Sequence, residues 1–316
     1  MTKFLKDDRN MDSIYTNIVN KIYQELMYDL GHGKVASYIP ELANVDPKQL
    51  GIAVATVNGG LYAAGDAMTP FSIQSISKLF ALSLAFERLG ESLWSRVRKE
   101  PSGNAFNSIV QLDYEKGIPR NPFINAGAIV ITDILCSRFV QPEFSVLQLV
   151  RKLSQNPTID YNMKVAKSEL QTAHRNLSIA HLMKSFGNLD NDPMEVVKTY
   201  CTHCAIEMTC VDMAKAGLYL ANHGCIPATK EYILDDDDTK RLNAVMLTCG
   251  AYDAAGDLAY RIGWPLKTGV GGGILAIVPG VLSVCVWSPA LDEVGNSYSG
   301  IKALEKLSLY TNLSVF

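Results

Sequence analysis

The chain has 316 residues, 48% of them hydrophobic and 19% charged, which suits one large domain or about two ordinary ones and excludes a disordered or low-complexity polypeptide. A formal net charge of −3, with no dense Lys/Arg run and no basic stripe, argues against a nucleic-acid partner. Seven scattered cysteines, Cys136, Cys201, Cys204, Cys210, Cys225, Cys249 and Cys285, are too few and too unevenly spaced for a secreted disulfide scaffold and read as reduced and buried.

The opening MTKFLKDDRNMDSIY has no apolar signal-peptide core, and the most apolar later run, GGGILAIVPGVLSVCVW, is short and interrupted by Pro279. A soluble cytoplasmic protein with no membrane association is expected. From Met11 to Leu30, Ile14, Ile18, Ile22 and Leu26 recur every four positions and predict an amphipathic helix closed by Gly31 and Gly33. GIAVATVNGGLYAAGD predicts two strands joined at Asn58-Gly59.

From about residue 71 to 248 strand signals nearly vanish and helical patterns follow one another, among them FSVLQLVRKLS, PMEVVKTYCTHCA and CVDMAKAGLYLANHG. Asp235 to Asp238, before TKRLNAVM, reads as a helix N-terminus rather than a metal run. Strands return with GGGILAIVPG and VLSVCVWSP, and SGIKALEKLSLYTNL closes the chain as a helix. The pattern predicts an α+β fold: residues 1–70 and 249–316 form one discontinuous α/β domain around an all-α block, residues 71–248, with any active site between them.

The helical block opens on PFSIQSISKLFALSLAF, where Ser75 and Lys78 stand three apart and share a helix face. An amine there can take a hydroxyl proton if burial lowers its pKa, and a helix N-terminus offers N–H groups to an oxyanion. The tetrapeptide alone is weak. Ser72 and Ser75 also read as helix caps and Lys78 as a surface lysine, and a second copy, Ser299 to Lys302, reads with Ser299 as the cap of the last helix.

Lys267-Thr268-Gly269 occurs once, before a Gly-rich strand. Together with S-x-x-K it is the pair found in penicillin-recognising acyl-serine enzymes. No Ser-Asp-Asn triplet lies between the two motifs, which argues against a plain β-lactamase. The collinear set SYIPELA, PFSIQSISK, NPFINAGAI, SELQTAHRN, CAIEMTC, CGAYDAAG, KTGVGGGI and WSPALDEVGNS resembles the serine-dependent glutaminases, in their short bacterial form.

That resemblance implies a β-lactamase/transpeptidase-like fold, an antiparallel sheet flanked by the terminal helices with an inserted helical domain. It implies hydrolysis of L-glutamine to L-glutamate and ammonia through an acyl-Ser75, with Lys78 as the proton-transfer partner. Tyr252 would assist Lys78, a relay that asks for both pKa values to be depressed. The backbone N–H of Val270 would complete an oxyanion hole with that of Ser75. Glu169 and Asn176 match paired substrate contacts, with Glu169 meeting the α-ammonium, and Asn125 and Tyr200 match further binding positions. Tyr38 and Gln74 match the pocket more loosely. A homo-oligomer, dimer or tetramer, is also implied.

Two other signals read as structure. Cys201-Thr202-His203-Cys204 is half a zinc pattern without a second ligand pair, and its cysteines suit helix packing. GVGGGI lies between KTG and a strand, not between a strand and a helix, so it reads as a flexible oxyanion turn rather than a dinucleotide fingerprint. No metal and no cofactor is implied.

Overall fold

The computed structural model describes residues 8–102 and 109–316. Its first helix, α1 (Asp8–Leu26), ends four residues earlier than the pattern suggests. Its buried face is Tyr15, Val19, Ile22 and Leu26, while Ile14 is exposed. A strict four-residue repeat drifts by about 40° per step on a helix of 3.6 residues per turn, so the wall facing the core runs through Tyr15 and Val19 instead.

The strands β1 (Gly51–Thr56) and β2 (Leu61–Gly65) form the expected hairpin. They join β6 (Leu266–Thr268), β7 (Gly273–Val278) and β8 (Leu282–Trp287) from the other end of the chain in one antiparallel sheet of order β2-β1-β8-β7-β6. The three strands β3 (Phe71–Ser72), β4 (Asp160–Tyr161) and β5 (Ile206–Met208) pair as a second, small sheet in the order β3-β5-β4. This corrects the all-helical reading of residues 71–248: two- and three-residue strands are too short to carry an alternating pattern.

Between β3 and β6 run α2 (Ser77–Leu89), α3 (Ile109–Tyr114), α4 (Asn125–Arg138), α5 (Pro142–Ser154), α6 (Met163–Thr172), α7 (His174–Ser185), α8 (Pro193–Cys204), α9 (Cys210–Ala221), α10 (Asp236–Cys249) and α11 (Ala255–Ile262). The chain closes with α12 (Tyr298–Thr311). The main sheet is apolar on both faces because both are covered. Ile52, Val54, Ile274, Ala276, Val284 and Val286 point into a core shared with α1 and α12. Ala53, Ala55, Leu275, Ile277, Cys285 and Trp287 point into the larger core of α2, α4, α5, α8 and α9.

The helix starts follow their caps. Asp235 accepts from the Asp238 N–H at 2.7 Å, so the acidic run is the N-terminus of α10. Thr209 and Asp212 form a capping box on α9. The cap of α12 is Ser297, whose hydroxyl accepts from the Gly300 N–H at 3.2 Å, while Ser299 is buried inside the first turn. The expected cap was two residues out. Ser72 is not a helix cap either: it lies in β3 and donates to the Cys204 carbonyl at 2.9 Å.

Candidate functional site

After β3 the chain turns sharply, with Gln74 in the left-handed region at φ 48°, and a short 3-10 turn, Gln74–Ile76, runs straight into α2. A bulky residue with positive φ is strained, and such strain persists only where the surroundings impose it. They do so here. The KTG segment lies directly against the turn: a Cβ on Gly269 would stand 2.7 Å from the Ile73 carbonyl oxygen, and one on Gly271 would stand 2.3 Å from that of Ser72. Only glycine lets the end of β6 approach the backbone around Ser75 this closely.

Lys78, the second residue of α2 and one turn after Ser75, is buried, 2% exposed. Its Nζ donates to Asn125 Oδ1 at 2.7 Å, to the Phe123 carbonyl at 3.0 Å and to the Tyr252 hydroxyl at 3.3 Å. The Phe123 carbonyl is aimed by Asn121, whose Oδ1 accepts from the Phe123 and Ile124 N–H groups just before α4. Burial lowers the Lys78 pKa to about 8, against the opposing pull of Cys204 and Glu169. An amine with that pKa is partly neutral near pH 7, as proton acceptance requires.

Tyr252 follows Gly250-Ala251 after α10 and also has positive φ, 58°. Its hydroxyl accepts from a second buried amine, Lys267, at 3.2 Å, and it lines the same cavity as Ser75. Lys267 is fully buried, donates also to the Thr268 carbonyl at 2.8 Å, and lies over the Tyr252 ring at 4.3 Å. Burial holds it well below the ordinary ammonium range, and Lys78 presses it the same way. The expected depression of both members of the relay fails for Tyr252. Burial raises its pKa despite the opposing pull of Ser75, so the phenol stays neutral and keeps its proton to donate.

Beside these groups lies a cavity of about 180 Å³ lined by Tyr38, Gln74, Ser75, Asn125, Glu169, Asn176, Tyr200, Tyr252 and Val270. Every residue singled out in the sequence except Lys78 lines it, and Lys78 stands behind, bonded to Asn125 and Tyr252. Small pockets of this kind suit a metabolite rather than a drug-sized ligand, which occupies roughly 300–1,000 Å³. The residues come from separate elements: Tyr38 from the loop before Pro40, Asn125 from the start of α4, Glu169 and Asn176 from the α6–α7 corner, and Tyr200 from α8.

Asn125 Nδ2 donates to Asn176 Oδ1 at 2.9 Å, which fixes both amides. Glu169 is buried, and one of its carboxylate oxygens, Oε2, has no hydrogen-bond partner. Burial raises its pKa to about 7, opposed by hydrogen bonds from Gln74 and Cys204 and by Lys78. A buried carboxylate with an unpartnered oxygen, on a residue that lines the cavity, suits a cationic ligand group. Ile39, Thr172, Ala173 and Arg175 also line the cavity and were not singled out. Nor were Lys267, read only as part of a motif, and Cys204, read only as packing.

The CTHC segment does not converge on a centre. His203 Nε2 meets the Pro142 carbonyl at 2.9 Å, while Cys204 touches Ser77 at 3.8 Å. Among the described residues no group of three or more His, Cys, Asp or Glu side chains could hold a metal ion, and no helix is long and apolar enough to cross a membrane.

The glutaminase family matches over residues 33–316. A glutaminase of Paraburkholderia phytofirmans (strain DSM 17436 / LMG 22146 / PsJN) is 57% identical over 302 residues, 96% of this chain and 99% of its own. One of Ralstonia nicotianae (strain ATCC BAA-1114 / GMI1000) is 56% identical with the same coverage. Among solved structures, the probable glutaminase ybaS superposes with a TM-score of 0.92 at 36% identity over 96% of this chain and 98% of its own. Mglu in its glutamate form superposes with a TM-score of 0.90, also at 36% identity, over 95% and 69%. The shared architecture is the β-lactamase-like one, an antiparallel sheet with helices on both faces. The match over most of the length and the relatives more than half identical to it establish that the chain belongs to the glutaminase family.

Proposed function

We propose that the chain hydrolyses the side-chain amide of L-glutamine through an acyl enzyme on Ser75. The observation that carries the reading is the Tyr252 hydroxyl, bonded at once to Nζ of Lys78 and Nζ of Lys267, on the wall of the small cavity that Ser75 also lines. Ser75 Oγ attacks the amide carbon while its proton passes to neutral Lys78, directly or through the Tyr252 hydroxyl. The backbone N–H groups of Ser75 and Val270 receive the oxyanion. The proton returns to the leaving nitrogen, ammonia departs, and water, deprotonated by the same pair, releases L-glutamate and restores Ser75.

Glu169 meets the α-ammonium, and Asn125, Asn176 and Tyr200 supply donors and acceptors to the rest of the amino-acid backbone, with Tyr38 and Gln74 completing the walls. A relative 36% identical is described in a glutamate form, which is the product expected here. Cytoplasmic residence belongs to the same proposal and is supported by the seven free cysteines. A dimer or tetramer rests on the family resemblance, and light scattering on the purified protein tests it.

The deciding measurement is ammonia release from glutamine, asparagine and a peptide-bound glutamine, side by side, with wild type and Ser75→Ala. Wild type is expected to act on free glutamine and Ser75→Ala to keep its fold and lose turnover. Near-normal turnover by Ser75→Ala would sink the mechanism.

A further inference from the structure

The β1–β2 turn, the C-terminus of α5 and the loop after α9 enclose a second cavity of about 470 Å³, which shares no lining residue with the catalytic one. Its apolar lining includes Ala55, Leu153, Leu218, Ile226 and Pro227, and its two charged residues are both cationic, Lys215 and Lys230. Lys215 is half-buried on α9 and Lys230 exposed beyond it, and neither ammonium has a hydrogen-bond or ion-pair partner among the described residues. The acids beside them in sequence are engaged elsewhere. Asp212 accepts from Asn156 Nδ2 at 3.0 Å and from the Thr209 hydroxyl at 2.7 Å, and Glu231 pairs with Lys152. The cavity wall therefore carries positive charge without a counter-charge.

Its other polar feature is the end of α5. The last carbonyls of a helix have no helical donor and must find one elsewhere. For Leu153 the N–H that would continue the helix belongs to residue 157, which is Pro157 and has none. For Ser154 it belongs to Thr158, which donates to Asn156 Oδ1 at 3.0 Å instead, while the Asn156 N–H turns back to the Arg151 carbonyl at 3.1 Å. Leu153 and Ser154 are 3% and 1% exposed and both line the cavity, yet neither carbonyl receives a hydrogen bond among the described residues. Buried carbonyls are almost always paired, so this wall calls for a donor from outside the chain.

We propose that this cavity is a second binding site, for an α-amino acid with an aliphatic side chain. One ligand of that class meets all three demands of the wall. Its carboxylate pairs with Lys215 and Lys230. Its ammonium donates to the Leu153 and Ser154 carbonyls, at the negative end of the α5 dipole. Its side chain covers Leu218, Ile226 and Pro227. A simple anion would leave the carbonyls unpaired, and a simple amine would leave the lysines so.

Isothermal titration of the full chain with L-leucine tests this. Saturable binding is expected, with an affinity that saturating L-glutamate does not change. Three probes each lack one feature: 4-methylpentanoate the ammonium, 3-methylbutylamine the carboxylate, and glycine the side chain. Each should bind about tenfold more weakly or worse, the worth of one hydrogen bond to a charged group or of one buried aliphatic side chain. Lys215→Gln and Lys230→Gln should each weaken leucine by about three- to tenfold, as for partly solvated charge pairs, with the melting temperature of the ligand-free protein unchanged within a few degrees. Absence of saturable leucine binding, displacement of leucine by L-glutamate, equal affinity for 4-methylpentanoate, or lysine variants that bind like wild type would each overturn the inference. If one lysine variant fails to fold, the other decides.

Discussion

Nζ of Lys78 and Nζ of Lys267, both buried, converge on one atom, the Tyr252 hydroxyl oxygen, from 3.3 and 3.2 Å. Two ammonium groups this close in a dry site repel, so at least one is neutral at rest. A phenol oxygen that receives from two amines on the wall of the cavity that Ser75 lines is a point through which a proton can leave the serine. Tyr252→Phe deletes that point while keeping the ring that packs under Lys267. The expected result is a fall in kcat of about 10²- to 10⁴-fold, the range for loss of a positioned proton-transfer group, with the melting temperature changed by only a few degrees. Ammonia release within threefold of wild type would remove Tyr252 from the relay.

The pH dependence follows from which protonation states act. Lys78, lowered to about 8 by burial, takes a proton and must be neutral; Glu169, raised to about 7, pairs with an ammonium and must be ionised. Both act deprotonated, so activity rises with pH. In kcat, with substrate bound, the limb set by Lys78 is expected to climb with unit slope and flatten above about 8. In kcat/KM, which reports the free enzyme, Glu169 adds a second unit of slope below about 7. A profile flat from pH 6 to 9 would contradict both assignments, and Lys78→Arg, charged at every pH, should be inactive throughout.

Gly269 and Val270 separate backbone from side-chain demands. A Cβ at Gly269 meets the Ile73 carbonyl at 2.7 Å, so Gly269→Ala must push β6 away from the turn that carries Ser75. Displacing an oxyanion donor costs about 10²- to 10³-fold in kcat, and that loss is expected here. Val270→Ala leaves its N–H in place and should retain activity within a few-fold. Equal effects of the two substitutions would mean that the Val270 contribution lies in its side chain.

Much of this arrangement is legible in the sequence itself. The continuous apolar runs of β1, β7 and β8 are long enough to show themselves, and S-x-x-K and KTG fix which ends of the chain meet. What was not legible depends on close three-dimensional approach. The strands β3 to β5 are too short for a pattern, and the cap of α12 lies at one of two serines two residues apart, Ser297 and Ser299, of which geometry selects Ser297. The neutral state of Tyr252 depends on burial that its local sequence, CGAYDAAG, does not reveal.

Stability has its own test at Asp133, far from the reacting groups. On α4 this carboxylate is fully buried, accepts from Arg96 Nη2 at 2.7 Å, from the Asp190 N–H at 3.0 Å and from the Asn191 N–H at 2.8 Å, and so ties α4 to the loop before α8 and to the segment after α2. Burial alone would raise its pKa, but the backbone donors and Arg96 outweigh it and the net shift is downward. A folded-state pKa below the unfolded one contributes stability that is complete above the unfolded value of about 3.9 and is lost as pH falls through the folded value. Asp133→Ala leaves the Asp190 and Asn191 N–H groups without their acceptor and takes one partner from Arg96, which Asn188 and Asp190 still hold, and is expected to cost about 2–4 kcal/mol, the worth of buried donors left unpaired. Urea melts at pH 7 and at pH 3 check both parts: the gap between wild type and Asp133→Ala should be widest at pH 7 and narrower at pH 3. A gap that stayed constant would assign the loss to packing rather than to the charge on Asp133.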